Sequence, residues 1–238
     1  YVAKFNSDGT GTWLELRLGV NGITGANAAY PFADQADVAL NTRLAADAAG
    51  ATKMDRPEWG AVNPKNGEVY ITLTNNSNRT VATADSANPR VYTDLKAGKE
   101  QKGNVNGHIV RLAHGKPTDA SFRWDIYLFA SEAGADKATV NLSNLNDAND
   151  LSSPDGLVFS KATGICWIQT DDGAYTDTTN CMLMAAMPGQ RGDGGCDARH
   201  LRHPVGQLRA GLAQAGLQGL AVHVKPASGA RCTGGSSS

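Results

Sequence analysis

Several features are scarce in this sequence, and each scarcity argues against a class of function. Neither sign of charge dominates: 22 Lys and Arg stand against 23 Asp and Glu. A surface for nucleic acid or an anionic membrane needs an excess of positive charge, so composition makes no case for either partner. No apolar run approaches the ~18 residues of a membrane-crossing helix. Four cysteines, at 166, 181, 196 and 232, show no Cys-x-x-Cys spacing, so a zinc module is not indicated. They could form up to two disulfides, but no spacing pairs them, and they read as free thiols. No signal peptide stands ahead of the first residue, Tyr1, which reads as a processed product or a fragment of a longer protein.

Glycine, by contrast, is plentiful at 27 residues, alongside Asn, Asp, Thr and Ser. That mixture suits short strands joined by turns. Residues 1–19 predict a hairpin, with "YVAKF" and "TWLEL" alternating about "NSDGTG". Residues 33–50 predict a helix carrying Val38, Leu40 and Leu44, with Gly50 as its stop. Residues 57–76 predict strand, turn, strand; residues 77–103 a long polar loop; "GHIVRLA" (107–113) and "FRWDIYLFA" (122–130) another strand pair. Residues 131–152 form an Asn- and Asp-rich loop, and 154–172 a further strand, turn, strand. No long helices alternate with strands, which argues against a doubly wound α/β fold.

One internal repeat organises this pattern. A shift of 97 residues carries Pro57 onto Pro154, Glu58 onto Asp155, Val62 onto Phe159, Gly67 onto Gly164, Tyr70 onto Trp167 and Ile71 onto Ile168. Repeated antiparallel units with one signature each predict an all-β fold: a β-propeller, here partial, with long loops and one or two short helices. The spacing leaves room for one more unit, which "GHIVRLA…FRWDIYLFA" fills. In a propeller the innermost strands begin at one rim of the central channel, so Glu58 and Asp155 converge there. Two carboxylates in one pocket repel unless a proton or cation lies between them. Converging oxygen ligands favour calcium or another hard metal. The alternative is that both are turn carboxylates bonding nearby backbone.

The stretches "ATKMDRPEWGAVNPKNGEVYITLTNNSNR" and "SSPDGLVF…WIQTDDG" resemble the PhoX family of bacterial alkaline phosphatases. "YVAKFNSDGTGTWLEL", "NTRLAADAAGATKMDRPEW" and "NGHIVRL" resemble it too, in the right order from residue 1 to about 194. The resemblance implies a propeller with long insertions. It also implies a periplasmic or secreted enzyme that removes phosphate from phosphomonoesters using calcium and iron on the propeller axis. Glu58 then looks like a metal ligand, with Asp155 at the equivalent rim position. Asn75, Asn76 and Asp171, at the ends of the returning strands, are further candidates, and each also reads as a strand-end cap. Arg56 and Arg43 are candidates to clamp the phosphate through paired donors, or else form ordinary salt bridges. Nucleic acid and membrane are not expected as partners, and a monomer is.

Two departures from the family stand out. Members carry further blades on the N-terminal side, with other metal ligands and a family cysteine that has no match here, so this chain alone is expected to be poorly active. Residues 195–238 contain no Ile, Phe, Tyr, Trp or Glu, although the chain has fifteen aromatic residues, all before residue 176. The family has an Arg-rich strand and then a Glu in this region, whereas Leu208 stands near the Glu position. This tail reads as a divergent or frameshifted end, or as a weak helix at 205–222. His200, His203 and His223 lack a tight ligand spacing. A non-catalytic calcium- or partner-binding propeller is the competing reading. A lactonase- or phosphotriesterase-like propeller is another, although such proteins lack the "ATKMDRPEW" run.

Overall fold

The computed structural model describes residues 1–173, 181–189 and 201–202. The described residues divide into two compact units, one of residues 1–54 and 112–124, the other of residues 55–111 and the described residues from 125 on.

The first unit opens with the expected hairpin. Strands β1 (Val2–Phe5) and β2 (Thr10–Leu14) pair antiparallel, and β2 also pairs with residues 121–123. The expected single helix is two, α1 (Gln35–Leu40) and α2 (Thr42–Ala49). The break falls at Asn41, whose side-chain amide donates to Asp37 Oδ1 (2.7 Å) and to the Tyr30 hydroxyl (3.1 Å). Asn side chains bond locally in this way and compete with helical continuation. Asp34 caps α1 by accepting from the Asp37 N–H at 2.8 Å. Gly50 ends α2 in the left-handed region, as its sequence position predicts. Val38 and Ala45 pack with Ile23 and Phe32. Leu40 (86% exposed) and Leu44 (40%) do not join that core, because the break changes which face points inward.

The second unit holds most of the strands. They are β3 (Pro57–Val62), β4 (Val69–Leu73), β5 (Tyr92–Lys96), β6 (Lys99–Gly103), β7 (His108–Ala113), β8 (Ser121–Phe129), β9 (Pro154–Phe159), β10 (Cys166–Thr170), β11 (Leu183–Ala186) and β12 (Leu201–Arg202). Strands β7 and β8 run on into the first unit. The meander β3-β4-β7-β8, part of a six-stranded sheet that β2 and β1 extend beyond β8, and the four-stranded meander β9-β10-β11-β12 are two successive propeller blades. The strand pair at 107–130 is therefore not a third unit. It supplies the outer strands β7 and β8 of the first blade, because β7 hydrogen-bonds to β4. Residues 92–103, expected as loop, form the β5–β6 hairpin, turning at Ala97 and Gly98, both with positive φ. A 3₁₀ turn at Val81–Thr83 precedes it.

The repeat holds at the level of individual pairs. Val62 pairs with Val69 and Phe159 with Cys166; Ala61 with Tyr70 and Val158 with Trp167; Pro57 with Leu73 and Pro154 with Thr170. The turns match as well. Gly67 N–H donates to the Asn63 carbonyl at 2.9 Å, and Gly164 N–H to the Ser160 carbonyl at 2.8 Å. Between the blades lies one apolar core of Tyr70, Ile109, Tyr127, Leu128, Leu157, Phe159, Ile168 and Met184 with their neighbours. Tyr70 meets Tyr127 and Phe159 edge-on, with ring centroids 4.9 and 5.0 Å apart, a favoured aromatic geometry.

Cys166 is a buried thiol in this core, whereas Cys181 is disulfide-bonded, against the free-thiol reading. Cys196 and Cys232 lie outside the described residues. So do Leu208, His200, His203, His223 and the proposed helix at 205–222. Among the described residues no helix is long and apolar enough to cross a membrane.

Glycine substitutions test this register. Gly67→Ala and Gly164→Ala, at φ of 76° and 75°, should cost similar amounts, about 1 kcal/mol each. Gly107→Ala should cost more than ~3 kcal/mol, because its Cβ would lie 2.0 Å from the Thr74 carbonyl oxygen. Urea unfolding of the three variants measures the difference.

Candidate functional site

The candidate site is built from the same few residues in both hairpins. Proline opens β3 and β9, which are the edge strands of their sheets. That is a position where a missing N–H is tolerated. The residue before each proline, Arg56 or Ser153, has positive φ (48° and 55°), a conformation that costs a non-glycine residue of order 1–3 kcal/mol. Each is fixed by the returning strand: Thr74 N–H donates to the Arg56 carbonyl at 3.2 Å and Asp171 N–H to the Ser153 carbonyl at 3.0 Å. Directly after each proline the register slips. Between the paired ends, Glu58 and Trp59 face the single residue Thr72, and Asp155 and Gly156 face the single residue Gln169. These are equivalent β-bulges, and they contain Glu58 and Asp155. Bulges re-aim side chains and favour functional rims. The carboxylates are thus in bulged strand starts, not in turns.

The structure brings these acids into electrostatic contact. Asp155 is half-buried. Its carboxyl is pushed above the usual range, first by loss of solvent, then by the charges of Glu58 and Asp171, with Arg56 pulling the other way. Arg56 is an exposed guanidinium that donates to Asn75 Oδ1 (2.9 Å) and to Glu58 Oε1 (3.3 Å). Asn75 in turn donates to the Ser153 hydroxyl at 3.4 Å. Thus Glu58, Asp155, Asp171, Asn75 and Arg56 share one rim. Arg56 forms the expected salt bridge to Glu58, which leaves it in place for an anion as well.

Two candidates are placed elsewhere. Asn76 turns inward and donates to Asp55 Oδ1 at 2.7 Å, so it braces the loop. Arg43 is on the exposed side of α2 in the first unit. Asp55 itself is fully buried and went unnamed in the sequence reading. It accepts from Arg79 Nε at 2.7 Å and from Asn104 Nδ2 at 2.9 Å, and its N–H donates to Asn88 Oδ1. Asn104 Oδ1 accepts from Arg90, which orients the amide so that its NH₂ faces both Asp55 and His108 Nδ1. His108 Nε2 meets the Ala87 carbonyl at 2.8 Å, so the ring is neutral with its proton on Nε2. Only the word "DRPEW" hinted at this clamp, since its members are scattered from residue 55 to residue 108.

The donor chemistry at the rim is that of a hard cation: carboxylates and an amide oxygen. Among the described residues, no group of three or more His, Cys, Asp or Glu is close enough to hold a metal. The acids fit part of a metal's coordination shell.

Two expectations follow. Asp155→Asn removes a carboxylate whose charged form the fold disfavours, so the metal-free chain should melt at a higher temperature at pH 7, while cation binding weakens. Calorimetry with and without a chelator checks both. His108 has its pKa lowered from 6.5 to about 4, mainly by burial. Its stabilising contribution is complete above 6.5 and is lost as pH falls through that value towards 4. Stability should therefore drop with acidification across this window, and His108→Gln should flatten the slope in pH-dependent urea titrations.

Comparison with known proteins identifies the family. The family model "Alkaline phosphatase PhoX" matches residues 1–204. No curated protein matches the chain. Among solved structures, Pseudomonas fluorescens PhoX in complex with vanadate, a transition state analogue, is similar at 35% identity and a TM-score of 0.63. The match covers 86% of this chain and 35% of that one, so this chain spans about a third of that protein's length. With its family model matched over most of its length, the chain belongs to the PhoX family of alkaline phosphatases.

Proposed function

We propose that this chain forms the phosphate-facing rim of a metal-dependent phosphomonoesterase. The observation that carries the reading is the pair of equivalent bulges, which bring Glu58 and Asp155 together with Arg56 beside them. The family is a metal-dependent hydrolase family, and a related protein was solved in complex with vanadate, a transition state analogue. Glu58 and Asp155 would supply part of the shell of a cation, with calcium and iron as its proposed identities; Asp171 adds charge nearby, and the Asn75 amide oxygen accepts from Arg56. A bound cation supplies charge neutralisation at the phosphoryl oxygens and an acidified water.

The chain's own residues do the positioning. Arg56 is held from behind by Asn75 and Glu58, and its planar fork suits two phosphate oxygens. The extra residue in each bulge orients a carboxylate towards the rim without loosening the hairpin. The charges of Glu58 and Asp171 raise the hold of Asp155 on a proton, and at alkaline pH, where that proton is lost, a cation would relieve the same repulsion. The proposed setting is the periplasm or the cell exterior, which the disulfide at Cys181 supports. A monomer is proposed.

The test is hydrolysis of p-nitrophenyl phosphate at alkaline pH with added calcium, comparing the chain with Glu58→Ala and Arg56→Ala. Glu58→Ala should abolish turnover, and Arg56→Ala should weaken vanadate binding by roughly 10- to 100-fold, the worth of one or two charge-assisted hydrogen bonds. Unchanged turnover in Glu58→Ala would sink the reading. Calcium bound through Glu58 without turnover would leave a binding propeller instead.

A further inference from the structure

The two bulges must hold a fixed spacing if Glu58 and Asp155 are to serve one ligand, and one buried side chain touches both. We propose that Thr72 is the positioning residue that sets this spacing. The inference rests on the reading that the two carboxylates share a cation.

Thr72 lies in β4 and is fully buried. Its hydroxyl accepts the Trp59 N–H at 2.9 Å. A bulge takes such an N–H out of the ladder, so it needs another acceptor. The same hydroxyl lies 2.7 Å from the Asp155 carbonyl oxygen, to which it donates. It is also 3.3 Å from the Trp59 carbonyl, but one proton serves one short bond, and the shorter is to Asp155. A single oxygen therefore joins the residue next to Glu58 to the backbone of Asp155. A hydroxyl is the smallest group that accepts and donates at once.

The repeat makes the point sharper. The position equivalent to Thr72 in the second hairpin is Gln169, which is exposed, and the position equivalent to Trp59 is Gly156. The second bulge thus has no internal hydroxyl of its own at this position. The bond runs one way, from the first blade into the second. Thr74 repeats the pattern one pleat further along, donating to the Pro154 carbonyl at 3.0 Å, but it does not reach the first bulge. Valine at 72 would keep the shape and leave the Trp59 N–H and the Asp155 carbonyl unpaired inside the protein.

The experiment uses terbium(III) as the cation probe, its luminescence excited through tryptophan, on the chain and on five variants. Thr72→Val should weaken terbium binding about 10-fold or more, the usual effect of losing a group that orients ligands. Thr72→Ser, which keeps the hydroxyl, should restore affinity to within about threefold of the parent. Asp125→Asn, which breaks the Arg111–Asp125 pair (2.6 Å), should lower the melting temperature without changing terbium affinity. Thr72→Ala replaces Thr72→Val if the latter does not fold. Terbium affinity unchanged in Thr72→Val, or lost equally in Thr72→Ser and in Asp125→Asn, would overturn the positioning role. Glu58→Ala with unaltered affinity would overturn the cation reading itself, and this inference with it.

Discussion

The rim depends on the burial of one carboxylate. Asp55 has no exposure to solvent, and an ionised group in that position is untenable without compensating partners. The surrounding sequence supplies them from three directions: Arg79, Asn76 and Asn104. Each partner is itself constrained. Asn104 is oriented by Arg90 and His108. Gly103 and Gly107 bring the segment 103–108 so near the end of β4 that a Cβ at either would lie within about 2 Å of a backbone oxygen. The loop ahead of β3 is therefore held by several partners at once, a surplus of restraint at its end. That surplus is what allows Arg56, the next residue, to persist at positive φ. The ion pair also shows why breaking such a clamp is costly: removal of one partner would strand the others in the interior.

How much of this was legible in the sequence depended on whether a feature is periodic or positional. The blade hairpins were legible because proline, an acid and a turn glycine recur at one offset, and the pairing follows that offset residue by residue. The outer strands β7 and β8 were legible as strands but not as members of the first blade. Two alternating strands look like a self-contained hairpin until a third strand claims their edge. The β5–β6 hairpin was missed because "KEQKG" has no apolar face, and its register comes from the Ala97–Gly98 turn instead. The helix break at Asn41 was missed because alanine-rich periodicity continues through it, and only the partners at Asp37 and Tyr30 make the asparagine turn away.

Site residues divide in the same way. Glu58, Asp155 and Arg56 are chemically conspicuous and sit at a repeated position, so sequence alone could nominate them. Asn75 and Asn76 are adjacent and identical in type, yet one faces the rim and the other the Asp55 clamp. Alternation of side chains at a strand end decides that, and no composition argument separates them. Thr72 carries no signal at all, because a threonine in a strand is ordinary. Its role exists only in the third dimension, where β4 lies against β9.

The repeat is close in backbone and unequal in charge, and that inequality shapes the chemistry. Both hairpins carry an acid in the bulge, but the residues before the prolines are Asp55–Arg56 in one and Ser152–Ser153 in the other. One guanidinium therefore faces the charges of Glu58, Asp155 and Asp171. With the acids ionised, the rim is net negative and repels a phosphate dianion despite Arg56. Protonation could relieve the repulsion, but alkaline conditions remove the protons even from the raised Asp155 carboxyl. A multivalent cation held by the ionised acids would relieve it and make the local field favourable to an anion, with Arg56 as a directional donor beside it. On the proposed reading, charge alone would favour binding of the cation ahead of the phosphate. A single guanidinium would then suffice for orientation, because the cation would supply the attraction.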